Sequence, residues 1–288
     1  MHNRLVGAAP AKVNLVLEVT GLRADGFHEI DTILQTLELA DEVTLEFGAQ
    51  AGIRVGGPFA SGTPADASNL AWRAAELLAA RCDARLDDLA ISLNKRIPPA
   101  GGLGGGASDA ATVLRLLGQH WDASDDVLRD VATIVGSDPV FFVSGGGTAR
   151  AQGRGEILTP LADIPRQNVV LFVPNSTIDG KTARMFAALD RFPFDAGGVA
   201  AAFARGDGGR VSAAEVYNGF ERVAFDLFPG LAGIWESVEQ RCGEPIHLAG
   251  AGPTLFWIGA SDSAAAGVAA AASGQNCTVL QTTTRGRV

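Results

Sequence analysis

The chain has 288 residues, 47% of them hydrophobic and 19% charged, a globular mixture long enough for one large domain or two of about 150 residues. Lys and Arg total 23 against 32 Asp and Glu, a formal charge of −9, which argues against a general nucleic-acid binder, whose basic surface must neutralise phosphates. A phosphorylated small molecule stays open, because a few local donors suffice in a cleft.

In chain order, the first stretch alternates: Val13, Leu15, Leu17 and Val19 point one way, and Lys12, Asn14, Val16 and Glu18 the other. This predicts a half-buried strand with a polar cluster at its start. A turn at Arg23–Gly26 follows, then strand-like runs Ile30–Leu39 and Glu42–Phe47, which the short step at Asp41 suggests are antiparallel partners. Ser68 or Asn69 can cap a helix running to Cys82, with Leu70, Ala74, Leu77 and Leu78 at helical spacing. Leu89–Ile97 alternates as a strand, and helices are predicted over Asp109–Trp121 and, capped by Ser124, through Val127–Ile134. Short strands are expected near Val140 and Thr148, with a turn over Gly153–Pro160. Beyond it, a strand over Asn168–Pro174 and helices over Thr182–Asp190 and Leu231–Cys242 are predicted. Strands over Ile246–Ala249 and Thr254–Ile258, a helix over Ser263–Ala272 and a strand over Cys277–Thr283 follow. The pattern predicts an α+β chain in two parts, 1–163 and 164–288.

Cys82, Cys242 and Cys277 share no metal-ligand spacing, and His2, His28, His120 and His247 form no pair at helical ligand spacing, so no metal site is expected. The N-terminal stretch lacks a sustained apolar core before Lys12 and Asn14 and does not read as a secretory signal. The small-apolar run Ala264–Ala272 falls well short of the roughly 20 residues that span a bilayer. A reduced cytoplasmic compartment, without membrane or nucleic-acid partners, is the expectation.

The concentrated signal is Pro98, Pro99, Ala100, Gly101, Gly102, Leu103, Gly104, Gly105, Gly106, Ala107 and Ser108, between a strand and a helix. It is no Walker A loop, since no Lys follows the glycines. A dinucleotide fingerprint can be forced only as Gly102-x-Gly104-x-x-Ala107, without the βαβ unit and acidic residue that should accompany it. A linker or tight turn is the plain alternative. Missing Cβ atoms would nevertheless let the backbone approach an anion closely, and amides at a helix start converge on one point. The abutment on a strong helix favours a phosphate cradle, with the Ser108 hydroxyl adding a donor.

Pro99–Ala111 resembles the phosphate-binding motif of the GHMP kinase superfamily, and its long glycine form resembles the branch acting on 4-diphosphocytidyl-2-C-methyl-D-erythritol. Four more segments agree in order: Pro10–Leu15 (PAKVNL), Arg23–His28 (RADGFH), Gly136–Phe142 (GSDPVFF) and Gly250–Thr254 (GAGPT). Departures from the usual pattern are Ala107 for a serine, Ser137 and Pro139-Val140 around Asp138, and Ala249 where serine is frequent.

The resemblance implies a two-domain GHMP kinase fold, with an N-terminal ribosomal-protein-S5-like domain and a C-terminal ferredoxin-like α/β sandwich. It implies ATP-dependent phosphorylation of the substrate's 2-hydroxyl in the non-mevalonate isoprenoid precursor pathway. Asp138 is then the base and Lys12 its cationic partner. Residues 98–108 hold the triphosphate, with Asn69 and Lys95 flanking the adenosine. Asn69 reads equally as an ordinary N-cap. Asn14, Phe27, His28 and Phe186 contact the cytidine-bearing substrate, although a Phe on an apolar helix is as readily core. Mg²⁺ is implied by ATP, not by a ligand cluster. A monomer or weak homodimer is expected. Another GHMP-type alcohol kinase, or a regulatory protein that kept the glycine loop, are the alternatives.

Overall fold

The computed structural model describes residues 3–175 and 178–287. It divides into two compact units whose segments interleave. Residues up to Ala11, Leu39–Pro99 and Gly104–Gly146 belong to unit one; Lys12–Glu38, Ala100–Leu103 and the chain from Gly147 onward belong to unit two.

Two long strands, β1 (Arg4–Leu22) and β2 (His28–Phe47), contribute residues to both units. β1 is longer than its alternation suggested, and both its faces are buried from Lys12 to Val19. Its polar face survives burial because each side chain is bonded. The Glu18 carboxylate, for example, accepts from Val199 N at 3.2 Å and Ala200 N at 2.9 Å. β2 is one unbroken strand rather than two antiparallel runs. Asp41 is fully buried within it; its carboxylate is an acceptor for neighbouring groups, not a turn former.

Unit one continues with β3 (Gly52–Gly56), α1 (Leu70–Arg81), β4 (Leu89–Asn94), α2 (Gly105–Trp121), α3 (Asp125–Val135) and α4 (Asp138–Val143). β4 pairs antiparallel with the end of β2, Glu42 opposite Asn94 through Phe47 opposite Leu89, and parallel with β3. α1 packs on α2, and α2 on α3 and α4, burying Leu78, Val113, Leu114, Leu117 and Val131. Val140 lies in α4, not in a strand: Pro139 falls in the first turn, where its fixed φ suits a helix and its missing N–H is no loss.

Unit two holds β5 (Thr148–Gly153), β6 (Ile157–Pro160), β7 (Asn168–Pro174), α5 (Lys181–Leu189), α6 (Val199–Ala204), β8 (Tyr217–Asn218), α7 (Glu221–Leu227), α8 (Leu231–Cys242), β9 (His247–Leu248), β10 (Leu255–Gly259), α9 (Asp262–Ala271) and β11 (Cys277–Thr283). The expected turn over Gly153–Pro160 is therefore shorter, with β6 pairing back on β5. β5 pairs with the first half of β2, and β8 lies parallel to β1 at Val16 and Leu17. A second sheet runs β11-β7-β10-β9. Its apolar side meets α5, α7, α8 and α9 in a core around Phe172, Phe220, Phe228 and Trp257. Among the described residues, no helix is long and apolar enough to cross a membrane.

Candidate active site

In unit two, the polar face of β1 opens a buried hydrogen-bond chain. Lys12 Nζ donates to Asn14 Oδ1 at 2.8 Å, Asn14 Nδ2 to Thr32 Oγ1 at 2.7 Å, and Thr32 Oγ1 to the Val16 carbonyl at 2.6 Å. Lys12 is only 5% exposed, so its ammonium is a fixed charge rather than a solvated strand-end cation.

Two loops lie against this chain. Lys12 N donates to Leu103 O at 2.9 Å and Thr254 N to Gly101 O at 3.3 Å. Lys181 Nζ donates to the carbonyls of Ala100 (2.9 Å) and Gly252 (2.5 Å). Gly102 has φ +86°, and a Cβ there would stand 1.9 Å from Ala249 O; no other residue fits. A Cβ on Gly250 would stand 3.2 Å from Lys12 Nζ. Asn218 anchors that loop by donating to Leu248 O and Gly250 O, each at 2.8 Å.

In unit one, Gly104 is the N-cap of α2 with φ 73°, and no side chain caps the helix. The helix starts at Gly105, four residues before the expected Asp109, although glycine disfavours helix by about 1 kcal/mol relative to alanine. α5, α6 and α8 also start after a glycine without a side-chain cap. What sets α2 apart is Ser108, whose Oγ is buried with no hydrogen-bond partner, a state that costs about 1–3 kcal/mol when left unmet. A glycine-started helix with an unmet buried hydroxyl in its second turn suits an oxyanion.

Lys95, 2% exposed, donates to both Asp41 and Asp109. Burial, opposed by the Lys95 ammonium and reinforced by Asp41, pushes the Asp109 carboxyl up to about 7. Asn69 caps α1, its Oδ1 accepting from Ala71 N at 2.9 Å while Nδ2 donates to Pro64 O at 2.7 Å. Asp138 opens α4.

Returning to unit two, the His28 ring stacks on Phe186 with centroids 4.4 Å apart and planes 19° from parallel. Its Nε2 is 2.7 Å from Asp190 Oδ1, and Phe194 meets it edge-on. Phe186 in turn packs edge-to-face on Phe220 at 4.8 Å. Phe27 is 52% exposed, with the Arg154 guanidinium 4.7 Å over its ring.

The family model for the GHMP kinases N terminal domain matches residues 69–146. A 4-diphosphocytidyl-2-C-methyl-D-erythritol kinase of Shouchella clausii is 38% identical over 268 residues, covering 87% of this chain and 84% of its own. That of Bacillus subtilis is 36% identical over 261 residues, with 88% of each chain covered. The chain belongs to the 4-diphosphocytidyl-2-C-methyl-D-erythritol kinase family. A crystal structure of a 4-(cytidine 5'-diphospho)-2C-methyl-D-erythritol kinase superposes with TM-score 0.77 at 33% identity, covering 98% of this chain and 100% of the other. A homoserine kinase of Cytophaga hutchinsonii, 16% identical, shares the fold at TM-score 0.71 over 100% of this chain and 96% of its own. The fold is thus the α+β GHMP kinase fold, and the chain is a small-molecule kinase.

For a member of this family, the structure gathers the expected residues into separate groups. Lys12, Asn14 and the loop tip Ala100–Leu103 come together in unit two, as do His28 and Phe186. Pro98, Pro99, Gly104–Ser108, Asn69, Lys95 and Asp138 lie in unit one. Sequence reading missed Thr32, Asp41, Lys181, Asp190 and Asn218. None carries a local motif, since each acts through a partner distant in sequence. Only the Lys12–Asn14 alternation hinted at a polar partner such as Thr32.

Proposed function

We propose that the chain transfers the terminal phosphoryl group of ATP to the 2-hydroxyl of 4-diphosphocytidyl-2-C-methyl-D-erythritol, a step of the non-mevalonate isoprenoid precursor pathway. The observation that carries this reading is the buried, Asn14-bonded Lys12 ammonium, in a unit whose two glycine loops stand against it. Phosphoryl transfer is mostly positioning plus charge stabilisation. A fixed ammonium supplies that stabilisation without reorganising. Asp138 takes the hydroxyl proton in this reading. Residues 98–108 hold the triphosphate, supported by the side-chain-free Gly102 and Gly104 and the unmet Ser108 hydroxyl. Asn69 and Lys95 are assigned to the adenosine side by resemblance.

Cytosine recognition falls to His28, Phe27 and Phe186, with Asn14 toward the acceptor alcohol. A pyrimidine needs a flat apolar face and edge hydrogen bonds, and Asp190 fixes the His28 ring for that task. Mg²⁺ would come with ATP. Among the described residues no group of three or more His, Cys, Asp or Glu is set to hold a metal, and we assign it no protein ligand.

The test is an ADP-release assay with the cytidine-bearing methylerythritol, homoserine and mevalonate as acceptors. Turnover confined to the cytidine compound supports the proposal; comparable turnover with either other alcohol sinks it.

A further inference from the structure

Lys95 was expected to flank the adenosine, yet its ammonium is buried and bonded to two carboxylates. Asp41 is fully buried and Asp109 is 1% exposed. Asp41 lies on β2, Lys95 just beyond β4, and Asp109 in α2, so one ammonium joins three elements. The other Asp41 oxygen accepts from Arg96 N and, at 2.8 Å, from Ile97 N. These are the last residues before Pro98 and the glycine segment.

The far end of that segment is packed against the same group. A Cβ on Gly105 would stand 3.1 Å from Ile97 Cγ2 and 3.5 Å from Asp41 Oδ2. Entry and exit are therefore in close contact, and a Cβ at Gly105 would press on Ile97. The Lys95 backbone is itself held, its N donating to Gly56 O at 2.7 Å and its O accepting from Phe59 N at 3.1 Å.

As a stabilising device this triad is poor. Removing a charge from water costs several kcal/mol, and a buried ion pair often does no better than apolar residues of the same size. Here one cation faces two carboxylates. What the arrangement does give is geometry, because both carboxylates must meet the same nitrogen. The glycine start of α2 also lacks helix propensity of its own.

We propose that Lys95, Asp41 and Asp109 form a positioning clamp that holds both ends of the glycine segment, and with them the amides at the start of α2, in the shape that receives a nucleoside triphosphate. This rests on the reading that residues 98–108 bind ATP. Lys95 then acts through the loop and does not touch the nucleoside.

The experiment compares wild type, Lys95→Met, Asp41→Asn and the double variant Lys95→Met/Asp109→Asn. KM for ATP, KM for the cytidine-bearing acceptor, the Kd of adenosine and the melting temperature are measured for each. Lys95→Met should raise KM for ATP about ten- to a hundredfold, the scale of a misplaced binding group, while acceptor KM and adenosine Kd stay within about twofold. The double variant also replaces the buried carboxyl that Lys95→Met leaves without its partner; it should recover melting temperature but not ATP affinity. Asp41→Asn cannot accept from both the Lys95 ammonium and the two backbone amides. It should show the same split, and it serves if Lys95→Met does not fold.

Recovery of ATP KM together with melting temperature in the double variant would reduce the triad to a structural role and overturn the clamp. Adenosine weakening in step with ATP would overturn it too, returning Lys95 to direct nucleoside contact. Wild-type protein that binds no ATP would defeat the underlying reading of the loop, an outcome separate from either.

Discussion

The glycine segment is held by two different kinds of chemistry along its length. Its tip, Ala100–Leu103, is fixed in unit two at its backbone carbonyls, which accept from Lys12 N, Thr254 N and the Lys181 ammonium. Its flanks, Ile97 and Gly105–Asp109, are fixed in unit one by buried charge centred on Lys95. Backbone pinning demands glycine, because no Cβ fits at Gly102. Charge pinning responds to protonation.

The largest effect should come from the reaction chemistry that both anchors serve. Asp138→Asn should lower turnover by about two to four orders of magnitude, the general-base range, while ATP titration and melting temperature stay near wild type. Turnover close to wild type would remove Asp138 from the base role.

The backbone anchor is broken most directly at its glycines. Gly102→Val should abolish measurable ATP binding, since a Cβ would stand 1.9 Å from Ala249 O. Gly104→Val, at φ 73°, should weaken ATP far more than the cytidine substrate, because a branched residue resists positive φ. Equal weakening of both ligands, measured by calorimetry, would favour a purely structural turn.

Away from the loop, His28→Ala removes a ring stacked on Phe186 and fixed by Asp190. It should raise KM for the cytidine compound about ten- to a hundredfold, the scale of 1–3 kcal/mol per unmet polar group, with KM for ATP barely moved. Preference over a uridine analogue should narrow as well. Phe27→Ala should weaken both pyrimidines alike, because stacking does not distinguish their edges.

The charge anchor predicts the smallest effect and the clearest sign. The Asp109 carboxyl is raised from 3.8 to about 7 in the folded protein, chiefly by burial. Between those values the folded state holds a proton that the unfolded chain has released. Rising pH therefore favours unfolding, and this contribution, complete below about pH 4, is lost as pH climbs toward 7. Asp109→Asn should flatten that slope, so melting temperatures of variant and wild type should diverge more at pH 8 than at pH 4, in the variant's favour. Parallel curves would show that Asp109 is ionised throughout.

How far the sequence spoke differs between the same two regions. The tip was legible because its constraint is local: a run of glycines admits few explanations, and Gly250–Thr254 supplied a second such run. The charge anchor was not. Asp41, beside Glu42 between two strand-like runs, reads as a short step joining antiparallel partners. Its real partners are Lys95, 54 positions away, and the amides of Arg96 and Ile97. Helix α4 was misread at Val140 because the run of Val and Phe suggests a strand, whereas Pro139 starts a short buried helix. Helices such as α8 and strands such as β11 were legible to their ends, since hydrophobic period and flanking glycine agree there. β3, α6, β8 and α7 were missed; all are short, and tertiary packing decides them rather than propensity.

The central claim is that this fold directs a phosphoryl group onto one particular oxygen. It is tested most directly by incubating the protein with ATP, Mg²⁺ and carbon-13-labelled 4-diphosphocytidyl-2-C-methyl-D-erythritol, and locating the new phosphate through its phosphorus–carbon coupling. The account predicts a single ester at the tertiary 2-oxygen, formed in step with ADP. ADP appearing without that ester, or an ester on another hydroxyl, would contradict it.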